Sequence, residues 1–325
     1  MPRGEFLVVG GDLAYPDPNE YNFERRFFRT FEDAMPPPPA FRRENISVMK
    51  PNLPVKGWSK ASTFKNSASD DDAHALLNKY KGPQAFVLPG NHDWFDGLGT
   101  FMRYVASRDW LGGWLMPQER SYFCIMLPQG WWIFGIDLAL SEDIDVEQYK
   151  FFADIARRRV KEGDAVVIMT HEPYWVLDTS EKRGEDKEAM YEFAEKNLRE
   201  LMFTHLKGKV RARIAGDLHH YTRHVPVRKP QPNARPSETY TPNSDGGNLA
   251  VAAKRMARRA RAGLPPNGDE GWDENLPEMI VSGGGGAFLH PTHTFDKNIS
   301  CNFGPKKNRP YFRSVAYPSD SVSFR

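Results

Sequence analysis

Only two of the 325 residues are cysteine, Cys124 and Cys301. That rules out a disulfide framework and leaves too few thiolates for a sulfur-ligated metal site, a usage that fits a reducing compartment. No run of about 18 apolar residues occurs, and the opening stretch MPRGEFLVV holds no apolar segment of signal-peptide length. The sequence therefore carries neither a membrane span nor an export signal of its own, and cytoplasmic exposure is the expectation; a longer parent protein is left room for a membrane segment. Charge of one sign is also lacking. The 44 basic and 42 acidic residues leave a net charge of +2, which by itself points to neither nucleic acid nor a membrane surface. The basic cluster KRMARRARA (254–262) has no interleaved aromatics for base stacking and reads as a solvated linker, so nucleic acid is not favoured as a partner.

What is present is a globular composition, 40% hydrophobic and 26% charged, long enough to bury a large core. A branched apolar run, FLVV (6–9), stops at Gly10 and Gly11, which predicts a buried strand entering a tight turn. The segment 19–35 spaces Tyr21, Phe27, Phe28 and Phe31 among charges, an amphipathic helix halted by the four prolines at 36–39. AFVLPGNHDW (85–94), DAVVIMTHEPYW (164–175) and KVRARIAGDLHHY (209–221) repeat the pattern of strand, turn and polar residues, the last two preceded by helical periodicity. Residues 121–139 place two strand-like runs around Pro-Gln-Gly, a hairpin. The last clear strand is 278–290. Strands alternating with helices, together with a hairpin, predict an α/β layered fold with mixed sheets. The expected organisation is a single domain over 1–325, with low-complexity, surface-wrapped insertions at about 36–73 and 229–276.

Four strand ends then carry Asp12, Asn91 with His92 and Asp93, His171, and Asp217 with His219 and His220. Gly-Asp is ordinary turn chemistry, and one such residue at a strand end is usually structural. Four consecutive strand ends, each offering an oxygen or imidazole donor, are hard to ascribe to turns alone, because ligands of α/β sheets bind beyond the carboxyl ends of strands. Oxygen and imidazole without thiolate suit Mn, Fe, Zn or Mg.

The blocks GGDLAY, GNHD, THEP and GDLHHY resemble, in order and spacing, the GD, GNH(D/E), lone His and GHxH blocks of the calcineurin-like metallophosphoesterases. The resemblance runs from 6 to 221, and GNHDW is its most specific part. It implies a four-layer α/β-β-α sandwich with two mixed sheets, and two divalent or trivalent metal ions bridged by a carboxylate and a hydroxide that attacks phosphorus in line. Asp12 matches the bridging carboxylate, Asn91 and His171 ligands of the second metal, and His219 a ligand of the first. His92 matches the non-ligand histidine that stabilises phosphoryl oxygens or protonates the leaving group, a task suited to imidazole. Asp93 is either the acceptor that orients His92 or a plain turn acid. The implied activity is hydrolysis of a phosphoester, of which the sequence does not identify the substrate.

Two departures stand beside the match. The family opens with a D-x-H block on a strand before the GD strand, and nothing before Phe6 supplies it; DAH (72–74) lies in the polar insertion and DLH (217–219) is already the fourth block. The expectation is an incomplete first-metal site in an N-terminally shortened chain, with the first strand missing and an unpaired sheet edge. Asp217 also stands where GHxH has its first histidine, an oxygen ligand in place of nitrogen. The alternative to a hydrolase is thus a catalytically impaired or truncated relative with a binding or regulatory role. His290 and His293 follow a glycine-rich stretch, Gly283 to Gly286, and could line the same cleft; the stretch lacks the Lys and Ser/Thr of a phosphate-binding loop, and the structural reading of both histidines is the stronger. Trp94, Trp131 and Trp132 read as core or rim, with Trp94 a candidate for the substrate mouth.

Overall fold

Side-chain alternation in two neighbouring strands builds the centre of the fold. In β1 (Phe6–Val9) and β2 (Gln84–Val87), Leu7, Val9, Ala85 and Val87 face one way, while Val8, Phe86 and the following Leu88 face the other. The computed structural model describes residues 4–36, 81–138, 143–181, 195–227, 276–283, 288–302 and 308–323. The insertions expected at 36–73 and 229–276, apart from Pro36 and Leu276, and the basic cluster at 254–262 lie outside the described residues.

The remaining strands are β3 (Trp110–Leu111), β4 (Trp114–Leu115), β5 (Phe123–Met126), β6 (Trp131–Gly135), β7 (Ala165–Thr170), β8 (Val210–Ala215), β9 (Tyr221–Pro226), β10 (Glu278–Ser282), β11 (Asn298–Asn302) and β12 (Asn308–Tyr317). They form a four-stranded sheet, β1-β2-β4-β3, and an eight-stranded sheet, β11-β12-β9-β10-β8-β7-β6-β5. Both are mixed. β1, β2 and β4 run parallel, with β3 antiparallel; β6, β7, β8 and β10 run parallel, flanked by antiparallel pairs. β5 and β6 form the expected hairpin. Among the described residues β1 is an edge strand, paired with β2 on one side only.

Helices cover both sheets. α1 (20–34) contains a wider π-type stretch, Phe23–Phe28, and presses Phe23, Phe27 and Phe28 with α2 (Gly99–Tyr104) onto the smaller sheet. Tyr21, expected on the apolar face, is exposed, and Phe23 is the buried ring instead. α3 (Val146–Arg158) and α5 (196–205) cover β6 and β7 through Phe152, Leu198, Leu201 and Met202. Between the sheets, Phe86 and Leu88 meet Phe123, Ile133, Val167 and Met169. This is the four-layer sandwich, helices outside and two sheets within. α4 (Tyr174–Glu181) follows β7 and packs Trp175 and Val176 against β8, β10 and β12.

The strand expected over 278–290 ends at Ser282, and it is not the last: β11 and β12 extend the larger sheet, and β9 follows the fourth block directly. β9 carries Thr222 and His224 on its buried face and β12 contains Pro310, so neither shows the continuous apolar run that makes a strand visible in sequence.

Candidate metal centre

Parallel pairing places the carboxyl ends of β1 and β2 side by side, and those of β7 and β8 side by side in the facing sheet. Turns at these ends aim Asp12, His171 and Asp217 at one point, with ligand atoms all within 4.8 Å of one another. His171 Nε2 lies 3.3 Å from Oδ1 of Asp12 and 3.7 Å from Oδ1 of Asp217. Both aspartates adopt left-handed backbone, φ 57° at Asp12 and 54° at Asp217, a conformation that Asp tolerates and that clusters at functional sites. Two glycines make room. A Cβ at Gly11 would sit 2.7 Å from Cγ of His171, and one at Gly90 would sit 2.5 Å from the Asp12 nitrogen and 2.7 Å from Cε1 of His171.

The tautomer of His171 follows from its contacts. Its Nδ1 is 2.6 Å from the carbonyl oxygen of Gly10, which can only accept, so Nδ1 carries the proton and donates. In the neutral ring Nε2 is then a bare lone pair, buried, without a well-formed hydrogen bond, facing two carboxylates. Three electron-rich atoms converging in a partly buried site could hold a cation between them. Without one the centre recruits a proton: burial pushes the His171 imidazole down, but the Asp12 carboxylate, with weaker help from Glu172 and Asp217, outweighs it and raises the group to about 9. Burial likewise opposes the charge of Asp12, yet His171 and His92 hold it below the ordinary carboxylate value. Burial raises Asp217 despite His171. The donor set of carboxylate, imidazole and carboxylate, with the imidazole fixed through Nδ1 by a backbone carbonyl, fits a borderline or hard divalent ion.

Asn91 opens the 3-10 turn His92–Trp94. The backbone N–H of His92 is shared between Oδ1 of Asn91 at 3.0 Å and Oδ1 of Asp12 at 3.2 Å, which brings the Asn91 amide oxygen beside the central carboxylate. His92 itself lies between Tyr15 and Phe95, ring centroids 4.3 and 4.7 Å away, and its Nδ1 donates to the carbonyl of Pro16 at 2.7 Å.

Asp93 does not orient His92. Its oxygens accept the backbone N–H groups of Leu13 at 3.0 Å, Gly90 at 2.8 Å and Ala14 at 3.3 Å, and the partner of the His92 ring is Pro16. Asp93 is fully buried and ties the turn after β1 to the turn after β2, a role that needs both acceptor oxygens; burial raises it to about 6 against these donors. His219 stands outside the group of three. Its ring is packed by Phe288 and His290, and its buried Nδ1 has no hydrogen-bond partner among the described residues.

One residue beside the centre, Glu172, is not among the candidates that the sequence offers. Glu172 follows His171, is buried, and is raised to about 7 by burial, His171 opposing the rise. Its signal was its place in the THEP block. Of the two histidines that could line the cleft, His290 stacks on His219, brought there by the return of the chain after β10, whereas His293 faces Ser323 at 3.0 Å. Trp94 packs on the smaller sheet's core, its indole donating to the buried Asp137 at 2.9 Å. Trp132 is buried and Trp131 lies at the surface.

Among the described residues no helix is long and apolar enough to cross a membrane. No curated protein matches the chain. Among solved structures it resembles a purple acid phosphatase isolated from yellow lupin (Lupinus luteus) seeds, at 15% identity and a TM-score of 0.38, covering 75% of this chain; the chain spans 37% of the length of that protein. A family model, calcineurin-like phosphoesterase, matches residues 56–221, about half of the chain. Asn91, His92, Asp93, His171, Asp217 and His219 fall inside that match and Asp12 outside it. With its two mixed sheets and a carboxylate-imidazole centre at their strand ends, the chain belongs to the calcineurin-like phosphoesterase family.

Proposed function

We propose that the chain is a metal-dependent phosphoester hydrolase with a dinuclear centre. The observation that carries this reading is the convergence of Asp12, His171 and Asp217, with Nε2 of His171 turned toward two carboxylates. In it Asp12, Asn91, His171, Asp217 and His219 are the residues that would hold the ions. When bound, such ions polarise a phosphoryl oxygen and lower the pKa of coordinated water. The chain's own side chains do the rest. Asp12 and Asp217 balance the positive charge, Gly10 holds His171 in its ligating tautomer, and the Pro16 carbonyl holds His92 with Nε2 free to pass a proton to the departing oxygen.

The test is metal content and turnover measured together, with Mn²⁺ and with p-nitrophenyl phosphate or its bis ester. Asp12→Asn should lose both metal and turnover. His92→Ala should keep its metal and lose about 10²-fold or more in turnover, the usual worth of a positioned acid or base. Turnover unchanged in metal-stripped protein, or in both variants, would overturn the proposal. Metal bound normally without hydrolysis of either ester would favour a binding or regulatory relative instead.

A further inference from the structure

His290 has no task in the reading above, yet it is strapped to the site. After β10 the chain is tied to the 217–220 loop twice: Gly283 N–H donates to the carbonyl of His220 and His290 N–H to the carbonyl of His219, both at 3.1 Å. At Gly283 the approach is close enough that a Cβ would lie 2.8 Å from the carbonyl carbon of Leu218. The backbone N–H of His219 in turn donates to Nδ1 of His290 at 2.9 Å. The two imidazoles stack, 4.8 Å between centroids and 15° between planes, and Phe288 packs edge-on against both.

This bond decides where the proton of His290 sits. A ring nitrogen that accepts from a backbone amide carries no proton, so the neutral ring is protonated on Nε2. Such a ring cannot ligate a metal through either nitrogen: Nδ1 is engaged and Nε2 has no lone pair. What it offers is an N–H donor. The residue is half-buried, among the described residues no partner engages Nε2, and its ring is held on the backbone and ring of His219, two residues after Asp217 of the converging group. Surrounding carboxylates give an incoming anion few donors, so a fixed N–H at this rim is the kind of group that a phosphoryl oxygen needs.

We infer that His290 is a substrate-anchoring residue, held in the Nε2–H tautomer by the backbone of His219 so that it donates a hydrogen bond to a phosphoryl oxygen of the bound ester. The inference rests on the metal-dependent hydrolase reading and adds to it the residue that grips the phosphoryl group from the Asp217 side.

Two measurements test it. Nitrogen-15 shifts of the metal-free chain at pH 8, where an ordinary histidine is neutral, should show His290 protonated on Nε2 and bare on Nδ1; the opposite tautomer would overturn the inference. Calorimetric titration of the Mn²⁺-loaded protein with tungstate, a tetrahedral oxyanion, reads the donor. His290→Asn keeps an acceptor oxygen near the place of Nδ1 but has no donor at Nε2, and it should hold wild-type metal and bind tungstate about tenfold more weakly, the worth of one hydrogen bond to a charged group. His290→Phe keeps the ring stack and loses both nitrogens, so it should show the same loss of tungstate affinity with a lower melting temperature. If His290→Asn binds tungstate as tightly as the wild type, the anchoring role falls while the hydrolase reading stands. If His290→Asn loses its metal, His290 supports the metal and the inference is likewise overturned. If the wild type takes up no metal, the hydrolase reading falls and the inference with it.

Discussion

Replacing Asp93 by Ala should destabilise the metal-free protein by about 3–6 kcal/mol, because three buried backbone donors lose their acceptor at once, at about 1–3 kcal/mol each, with the longer Ala14 contact at the low end. That is a large part of the 5–15 kcal/mol typical of a domain. Asp93→Asn separates this role from any other. Leu13 and Gly90 both donate to Oδ2, and Ala14 alone donates to Oδ1. An amide oriented with its oxygen in the Oδ2 position keeps two bonds and turns an NH2 toward one donor, so the loss should be about 1–2 kcal/mol. The assay is equilibrium urea unfolding at pH 8, above the value of about 6 to which burial lifts Asp93, so the wild-type carboxylate is ionised. An Asp93→Ala loss below 0.5 kcal/mol (on the scale of about 0.5–3 kcal/mol for common substitutions), or equal losses in the two variants, would refute the reasoning. So would a change in the His92 tautomer without a change in stability, since that is what an orienting role would give.

Gly90→Ala should leave the fold intact and weaken metal binding at least about tenfold, as loss of support around a metal ligand does, since its Cβ would press on the Asp12 backbone and the His171 ring; wild-type affinity by calorimetry would contradict this. The metal-free protein should lose stability as pH rises from about 6.5 to 9: the folded state holds a proton on His171 that the unfolded state has released, so the stabilisation is full below the unfolded value and gone above the folded one. Melting temperature against pH should show this slope in the wild type and not in His171→Gln, and a flat wild-type profile would refute it. Glu195→Ala should cost about 3–5 kcal/mol, because it strands the guanidinium of Arg213, which is 4% exposed, over the Trp175 ring 4.8 Å away. Urea unfolding within 1 kcal/mol of the wild type, below the cost of about 3–5 kcal/mol for breaking such a pair, would show that the charge finds water.

The strands that carry the site were visible in the sequence because each is a short branched run ended by a turn, and burial between two layers forces that pattern on any chain. FLVV, AFVL, AVVIM and the run before GDLHH all became parallel strands, and the candidate ligands came with them because each sits within four residues of a strand end. Local chemistry decided that much. The tertiary structure alone decided which strand ends adjoin: β1 beside β2 and β7 beside β8 in facing sheets, so that Asp12 meets His171 across 159 positions. It also decided the role of Asp93, whose neighbour His92 is the obvious partner in sequence, whereas two of the three amides it satisfies come from a turn 80 and 79 positions away. β9 and β12 were hidden because their polar side chains are buried through long-range pairing, which leaves no alternation to read. The fold also decided between His290 and His293, which the sequence offers alike as histidines after a glycine run: the chain folds back and a backbone amide 71 positions earlier donates to Nδ1 of His290. Sequence sets each residue's donors, acceptors and local geometry, and the packing of distant turns against one another determines which of them must be shared.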